Sequence, residues 1–366
     1  MTDNELLLPE YPVKEDMWDI LARESRPIVV YGMGNGADKL FLRLEKYGVG
    51  VSDVFASDGF VRGHSFRGYR VKTLSEIRES YADFVVLLSF ASSRDEVIDM
   101  LLEIDGCECM LVPDMPVAGE EYFDREHYNA HYGEILSAYS ALADDASREV
   151  FAAVVNYKLT GRLSYLMRAV STKGEMYSLL PREKIARVCD LGAYNGDTVR
   201  EALEYFPALR AVTALEPDPK NFKRLTRYAE GVEGIDLECV NAAAWSECRG
   251  GEFISSGNRN SSVTSTASHE HKDTAVELKT VDCLGINPDY IKYDVEGAEL
   301  EALLGSGETI LRARPSLLVS IYHRSGDIYS ITNMLREKYP FYDLYIRRLR
   351  CIPAWELNLI LIRNDL

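Results

Sequence analysis

No uninterrupted apolar run in the sequence approaches the ~18 residues that would mark a membrane-spanning helix, so no span is expected. The opening residues, MTDNELLLPEYPVKED, are acidic and contain no basic segment leading into an apolar one. No secretory signal is therefore expected, and the chain reads as cytoplasmic. Basic residues are scarce: 41 Lys and Arg face 58 Asp and Glu, for a formal charge of −17. No stretch forms a basic platform, and an acidic chain repels phosphate backbones. That removes nucleic acid and anionic membrane as general partners and leaves small molecules, sugars or proteins, with a homodimer also open. Cysteine is sparse and odd in number at 7, with Cys107 and Cys109 close together but no Cys-x-x-Cys pair. Reduced thiols are expected, with neither a disulfide scaffold nor a zinc framework. The remainder, 46% hydrophobic and 27% charged, excludes a mainly disordered or fibrous chain.

The chain reads as three stretches: an α/β unit over 1–120, a helical bridge over 121–180, and a second α/β unit over 181–366. In the first, Pro27-Ile28-Val29-Val30-Tyr31 is a buried-strand run closed by Gly32-Met33-Gly34-Asn35-Gly36-Ala37. Further strands are expected near 51–56, 84–88 and 109–112, with helices between, which implies a parallel sheet. In the bridge, Ile135, Leu136, Tyr139 and Leu142, then Phe151, Val154, Val155 and Leu159, recur at helical spacing, with a break and cap at 144–147. The third stretch offers seven strands, near 187–191, 211–215, 237–241, 290–295, 317–322, 341–346 and 357–362. No helix separates the last two, so an antiparallel hairpin is expected to end a parallel sheet.

Chemistry concentrates at the ends of these strands. Asp190-Leu191-Gly192-Ala193-Tyr194-Asn195-Gly196-Asp197-Thr198 is a glycine turn after a strand, but Tyr194 stands where a dinucleotide fingerprint needs a second glycine. Asp190 would turn a carboxylate toward the ligand, which disfavours pyrophosphate and suits a cationic ligand such as S-adenosylmethionine. Glu216-Pro217-Asp218 puts an acid at the end of the next strand, where a carboxylate can take both ribose hydroxyls, while Asp218 caps the following helix. Lys292, Asp294 and Glu296 alternate with apolar residues and share one side of their strand end. Glu299 and Glu301 read as an acidic first helical turn. His323, closing the fifth strand beside Arg324, is the first candidate for a general base and Asp294 the second. The biased segment 255–273 contains His269-Glu270-His271; without a further ligand pair it reads as a polar loop over the acceptor, and no metal site is expected.

The strings Asp190 to Thr198, Glu216-Pro217, Lys292 to Glu299, Arg314-Pro315 and Ile321-Tyr322-His323 together resemble the FkbM-type methyltransferase family over about 185–365. The resemblance implies a class I, Rossmann-like sheet and S-adenosylmethionine-dependent methylation of hydroxyl oxygens on sugars or polyketide-like metabolites. It implies that Gly192, Ala193 and Gly196 line the cofactor and Glu216 holds its ribose. It also implies that Asn241, Ala242 and Ala243 flank the adenine, and that Asp294 and Glu296 face the methyl group. Asn195 stands where the family often has Asp, and Tyr293 where Ile is common. The N-terminal Gly32 to Ala37 motif, with Asp58 near the next strand end, resembles small Rossmann-like domains of glycan-modifying enzymes. It supports a nucleotide-type or protein ligand there. The alternatives to a methyltransferase are a nucleotide-dependent oxidoreductase or sugar-nucleotide enzyme centred on Gly32–Asp58, or a protein that binds the cofactor without turnover.

Overall fold

The computed structural model describes residues 6–61, 63–254, 262–264 and 273–365. The expected segment His269-Glu270-His271 lies outside them. The first α/β unit is a parallel sheet of β1 (Ile28–Tyr31), β2 (Asp53–Phe55), β5 (Val85–Leu88) and β6 (Cys109–Leu111), in the order β2-β1-β5-β6. A short hairpin of β3 (Ser65–Phe66) and β4 (Tyr69–Arg70) lies beyond β2. β1 and β5 are buried along their whole length, as expected of strands covered on both faces. The crossover helix Asn35–Lys46 turns Ala37, Leu40, Phe41 and Leu44 inward, the 3.6-residue period of one helical face.

No strand occurs in the bridge. Helices Arg125–Ala130, Tyr132–Ser140, Asp145–Thr160, Leu163–Arg168 and Lys173–Ser178 follow one another. Asp144 caps the longest of them by accepting from the Ser147 amide at 2.8 Å, and Gly161 ends it in the left-handed conformation. That helix is buried almost all round, from Val150 to Leu159, because it lies between the flanking units. A single hydrophobic cluster runs from Val29 through Phe151 and Tyr157 to Leu361, so the core is continuous across all three stretches.

The main sheet contains β7 (Arg187–Leu191), β8 (Ala211–Leu215), β9 (Asp236–Val240), β14 (Tyr290–Tyr293), β15 (Ser316–Ser320), β16 (Tyr342–Arg348) and β17 (Leu357–Arg363). Its order is β16-β17-β15-β14-β7-β8-β9, parallel except for β17, which runs against both its neighbours. Four strands were not foreseen: β10 (Ala242–Ala244), β11 (Arg249–Ile254), β12 (Ser262–Thr264) and β13 (Asp273–Lys279) form a separate sheet in the order β10-β13-β11-β12. Their sequence hides them. β10 is three alanines and β11 opens on Arg-Gly-Gly, residues poor in strand propensity that pair only once tertiary structure aligns them.

Candidate active site

A cleft of about 350 Å³ opens at the carboxyl ends of β7, β8, β14 and β15, the edge at which open α/β sheets bind ligands. Two glycines shape the turn after β7. Gly192 (φ +88°) follows β7, and a Cβ there would stand 1.9 Å from the Asp294 carbonyl oxygen, so only glycine lets the ends of β7 and β14 meet this closely. Gly196 (φ +87°) caps the helix Asp197–Tyr205, where a Cβ would press on the Tyr228 ring at 2.4 Å. Tyr194, between them, holds φ +46°, and Glu296 and Glu356 on the other walls hold +54° and +59°. Left-handed backbone at non-glycine residues is costly, and strain of this kind clusters where side chains must be aimed.

Glu216 lies on one wall with its carboxylate fixed: Oε2 accepts from the Tyr194 amide and Oε1 from the Asp218 amide, both at 2.8 Å. Burial raises its pKa to about 7, against those two hydrogen bonds, which favour the charged form. Pro217, Thr198, Tyr194, Gly192, Ala242 and Ala243 line the same cleft. On the opposite wall Lys292 donates to Asp294 at 3.0 Å, with Glu296 alongside. Burial raises the Asp294 pKa, but Lys292 and then His323 outweigh it and hold the carboxyl at about 2. Tyr322 donates to the other Asp294 oxygen at 3.4 Å.

Several expected site residues stand elsewhere. Ala193 and Asn241 are absent from the cleft wall: Ala193 is buried in the core, and Asn241 Nδ2 donates to the Glu216 carbonyl at 2.8 Å, supporting the wall from behind. Gly196 acts through the helix it caps. Asp190 does not face the cleft. It is fully buried, neither carboxyl oxygen has a hydrogen-bond partner, and burial raises its pKa to about 7, with Lys292 opposing that shift.

His323 is the largest departure. The imidazole is fully buried and off the cleft wall, with Nδ1 2.9 Å from Glu299 Oε1 and Nε2 3.5 Å from Glu296 Oε2 and 3.7 Å from Asp294 Oδ1. Burial opposes its charge, yet Glu299 first, then Glu296 and Asp294, raise its pKa to about 10. Three carboxylates favour the protonated imidazole, which disfavours His323 as the base and favours a role in holding those carboxylates. Glu299 likewise is more than an acid in a helix's first turn: it is 1% exposed and accepts from the Val295 amide at 2.9 Å.

The cleft also takes residues with no local signal. Lys173, Met176 and Tyr177 come from the bridge, and Leu349, Glu356 and Asn358 from the β16–β17 connection and the start of β17. Only the adjacency of Tyr322 to His323 pointed toward the fifth strand's end. In the N-terminal unit, a cavity of about 260 Å³ lies against Gly34, Gly36, Lys39, Ser89 and Trp355. Asp58, expected to face a ribose there, does not line it and instead opens the short helix Asp58–Val61. Gly36 has a packing reason, since a Cβ would lie 2.1 Å from the Ser89 carbonyl oxygen.

Residues 190–348 match the family model of the methyltransferase FkbM domain. Among solved structures, the chain is similar to methyltransferase FkbM from Methylobacillus flagellatus KT, at 20% identity and a TM-score of 0.70. That match covers 99% of this chain and 96% of the other. It is similar at a lower level to Aeropyrum pernix fibrillarin in complex with natively bound S-adenosyl-L-methionine, at 12% identity, 52% and 74% coverage and a TM-score of 0.32. No curated protein matches the sequence. Residues 190–348 are thus similar to the methyltransferase FkbM domain, and the chain has an α/β methyltransferase-like fold with a mostly parallel sheet.

Proposed function

We propose that the protein is an S-adenosylmethionine-dependent methyltransferase whose acceptor is a hydroxyl on a sugar, glycan or secondary metabolite. In this reading 181–366 is the catalytic unit, 121–180 a bridge that closes one side of the cleft, and 1–120 a Rossmann-like attachment. The observation that carries it is Glu216, a carboxylate pinned by two amides at the end of β8, in a cleft also lined by Gly192 and Ala242. The charge of the cleft agrees. Asp197, Glu201, Glu216, Asp294, Glu296 and Glu356 line it against Lys173 and Lys292, and both lysines are already paired with acids. Such a cleft suits a ligand bearing an ammonium and a sulfonium and repels a pyrophosphate.

When bound, S-adenosylmethionine supplies a methyl group on a sulfonium to a nucleophile that approaches in line. Glu216 would accept from the ribose hydroxyls through the lone pairs its amides leave free. Ala242 and Ala243 present small, apolar side chains to a flat base. Asp294 and Glu296 would orient the acceptor hydroxyl by accepting its hydrogen bond. As the new C–O bond forms, that proton becomes strongly acidic, so a carboxylate held at about 2 can still receive it. Positioning can supply ~7–11 kcal/mol, whereas a general base adds 10²–10⁴-fold, roughly 3–5 kcal/mol, so orientation carries more of the rate. His323 is assigned as a positioning residue whose charge holds Asp294, Glu296 and Glu299 together.

Calorimetric titration with S-adenosylhomocysteine tests the reading, with NADH and NADPH titrated separately. Micromolar binding of the first is expected, and Glu216→Ala should weaken it by about 10- to 100-fold, the value of a hydrogen bond to a charged group. Binding of a nicotinamide cofactor alone would overturn the proposal and move the active site to Gly32–Asp58.

A further inference from the structure

Glu121, His127 and His131 meet where the bridge packs on the helix Asp327–Lys338, away from the cleft. Each offers one ligand atom, and these atoms lie within 4.8 Å of one another. The two histidines are four residues apart. The helical ladder continues through His131: its amide donates to the His127 carbonyl, and the Ile135 amide donates to that of His131. Both rings therefore project from one face, with centroids 4.8 Å apart.

His127 is held in a defined orientation. Its Nδ1 lies 3.1 Å from Glu121 Oε1, and its Nε2 lies 3.1 Å from the Tyr329 hydroxyl. His131 stacks on the Tyr329 ring at 5.4 Å. The backbone of Glu121 is fixed as well, since Ser325 Oγ donates to its carbonyl at 2.6 Å.

We propose that Glu121, His127 and His131 form a binding site for a divalent transition metal of the zinc type. Two imidazoles and one carboxylate are a donor set that zinc takes, leaving a fourth position for water. The Tyr329 hydroxyl supplies the partner that a ligating histidine needs on its second ring nitrogen, leaving Nδ1 free of its proton for the metal. Glu121 is two-thirds exposed, so the open position faces solvent and an ion has a path in. A bound ion would fasten the segment at Glu121, which Ser325 already holds, to the helix face carrying His127 and His131, which already touches the helix Asp327–Lys338 through Tyr329.

The test is calorimetric titration of the demetallated full-length protein with zinc sulfate, with cobalt(II) added in parallel to read ligand-field bands. Both are repeated in Cys248→Ser/Cys283→Ser, because those two sulfurs lie 2.7 Å apart and could capture zinc themselves. One equivalent should bind in both proteins. Glu121→Gln and His131→Ala, changes at less buried positions, should each remove that isotherm while leaving the thermal midpoint of the metal-free protein in place. Tyr329→Phe keeps all three ligands and should weaken binding about 10- to 100-fold. Absence of one-to-one binding in the parent protein would overturn the proposal. So would an isotherm unchanged by Glu121→Gln and His131→Ala, or one lost only with the cysteines.

Discussion

His323 and Tyr322 are adjacent in sequence and face opposite environments. Beyond the end of β15, Tyr322 reaches the cleft and the Asp294 carboxylate, while His323 turns inward, fully buried against Glu299 and behind the cleft-lining carboxylates of Glu296 and Asp294. Its worth is electrostatic. Removing one partner of a buried ion cluster leaves the others uncompensated and costs roughly 3–5 kcal/mol, so His323→Gln should lower the unfolding free energy by that order. The pH dependence has a definite sign. The folded pKa of about 10 lies above the ordinary 6.5, so the stabilisation is whole below about pH 6.5 and is lost as pH rises toward 10. Denaturant midpoints measured from pH 6 to pH 10 should fall in the parent protein and be flatter in His323→Gln. A parent curve as flat as the variant's would remove the charged assignment.

The helix Asp145–Thr160 shows how a local signal acquires tertiary work. Asp144 was legible as a cap from Asp144-Asp145-Ala146-Ser147, and it does accept from the Ser147 amide. The structure adds Arg347 of β16, whose Nη2 donates to Asp144 Oδ2 at 2.6 Å, and Ser147 Oγ, which accepts from the Ile346 amide at 2.9 Å. The cap thereby joins the bridge to the antiparallel end of the main sheet. Asp144→Ala loses the cap, worth ~0.5–2 kcal/mol, and also strands a mostly buried guanidinium. Its cost, read by urea denaturation, should therefore reach or exceed about 2 kcal/mol. A loss of only a few tenths would show that Arg347 finds other partners. The strand elements divide in the same way. β1 and β5 are apolar runs that announce themselves, whereas β10 and β11 carry alanine and glycine and both pair with β13.

Across the whole molecule, the bridge meets the N-terminal unit through Lys158 and Asp114, an ion pair almost wholly withdrawn from solvent, and through the Val112 amide, which donates to the Gly161 carbonyl at 2.8 Å. Lys158→Met leaves Asp114 buried and unpaired and should cost roughly 3–5 kcal/mol in a denaturant titration. The double variant Lys158→Met/Asp114→Leu should recover most of that loss. Failure of the double variant to recover would show that the pair does more than neutralise charge.

The glycines after β7, the acid after β8 and the Lys292-x-Asp294-x-Glu296 alternation were all legible in the sequence, because each is a local consequence of strand, turn and helix geometry. So was the parallel sheet ending in a hairpin. Gly192, Tyr194, Thr198, Glu216, Pro217, Ala242, Ala243, Asp294 and Glu296 line the cleft as expected, but the exceptions and additions were not legible. The inward turn of Asp190 and His323, the burial of Glu299, and the arrival of Tyr177 and Glu356 from distant segments depend on how strand ends and connections pack together. Sequence spacing fixes which residues share an element, but burial and charge compensation are settled only between elements, and they decide which carboxylates meet the ligand and which hold the wall behind it.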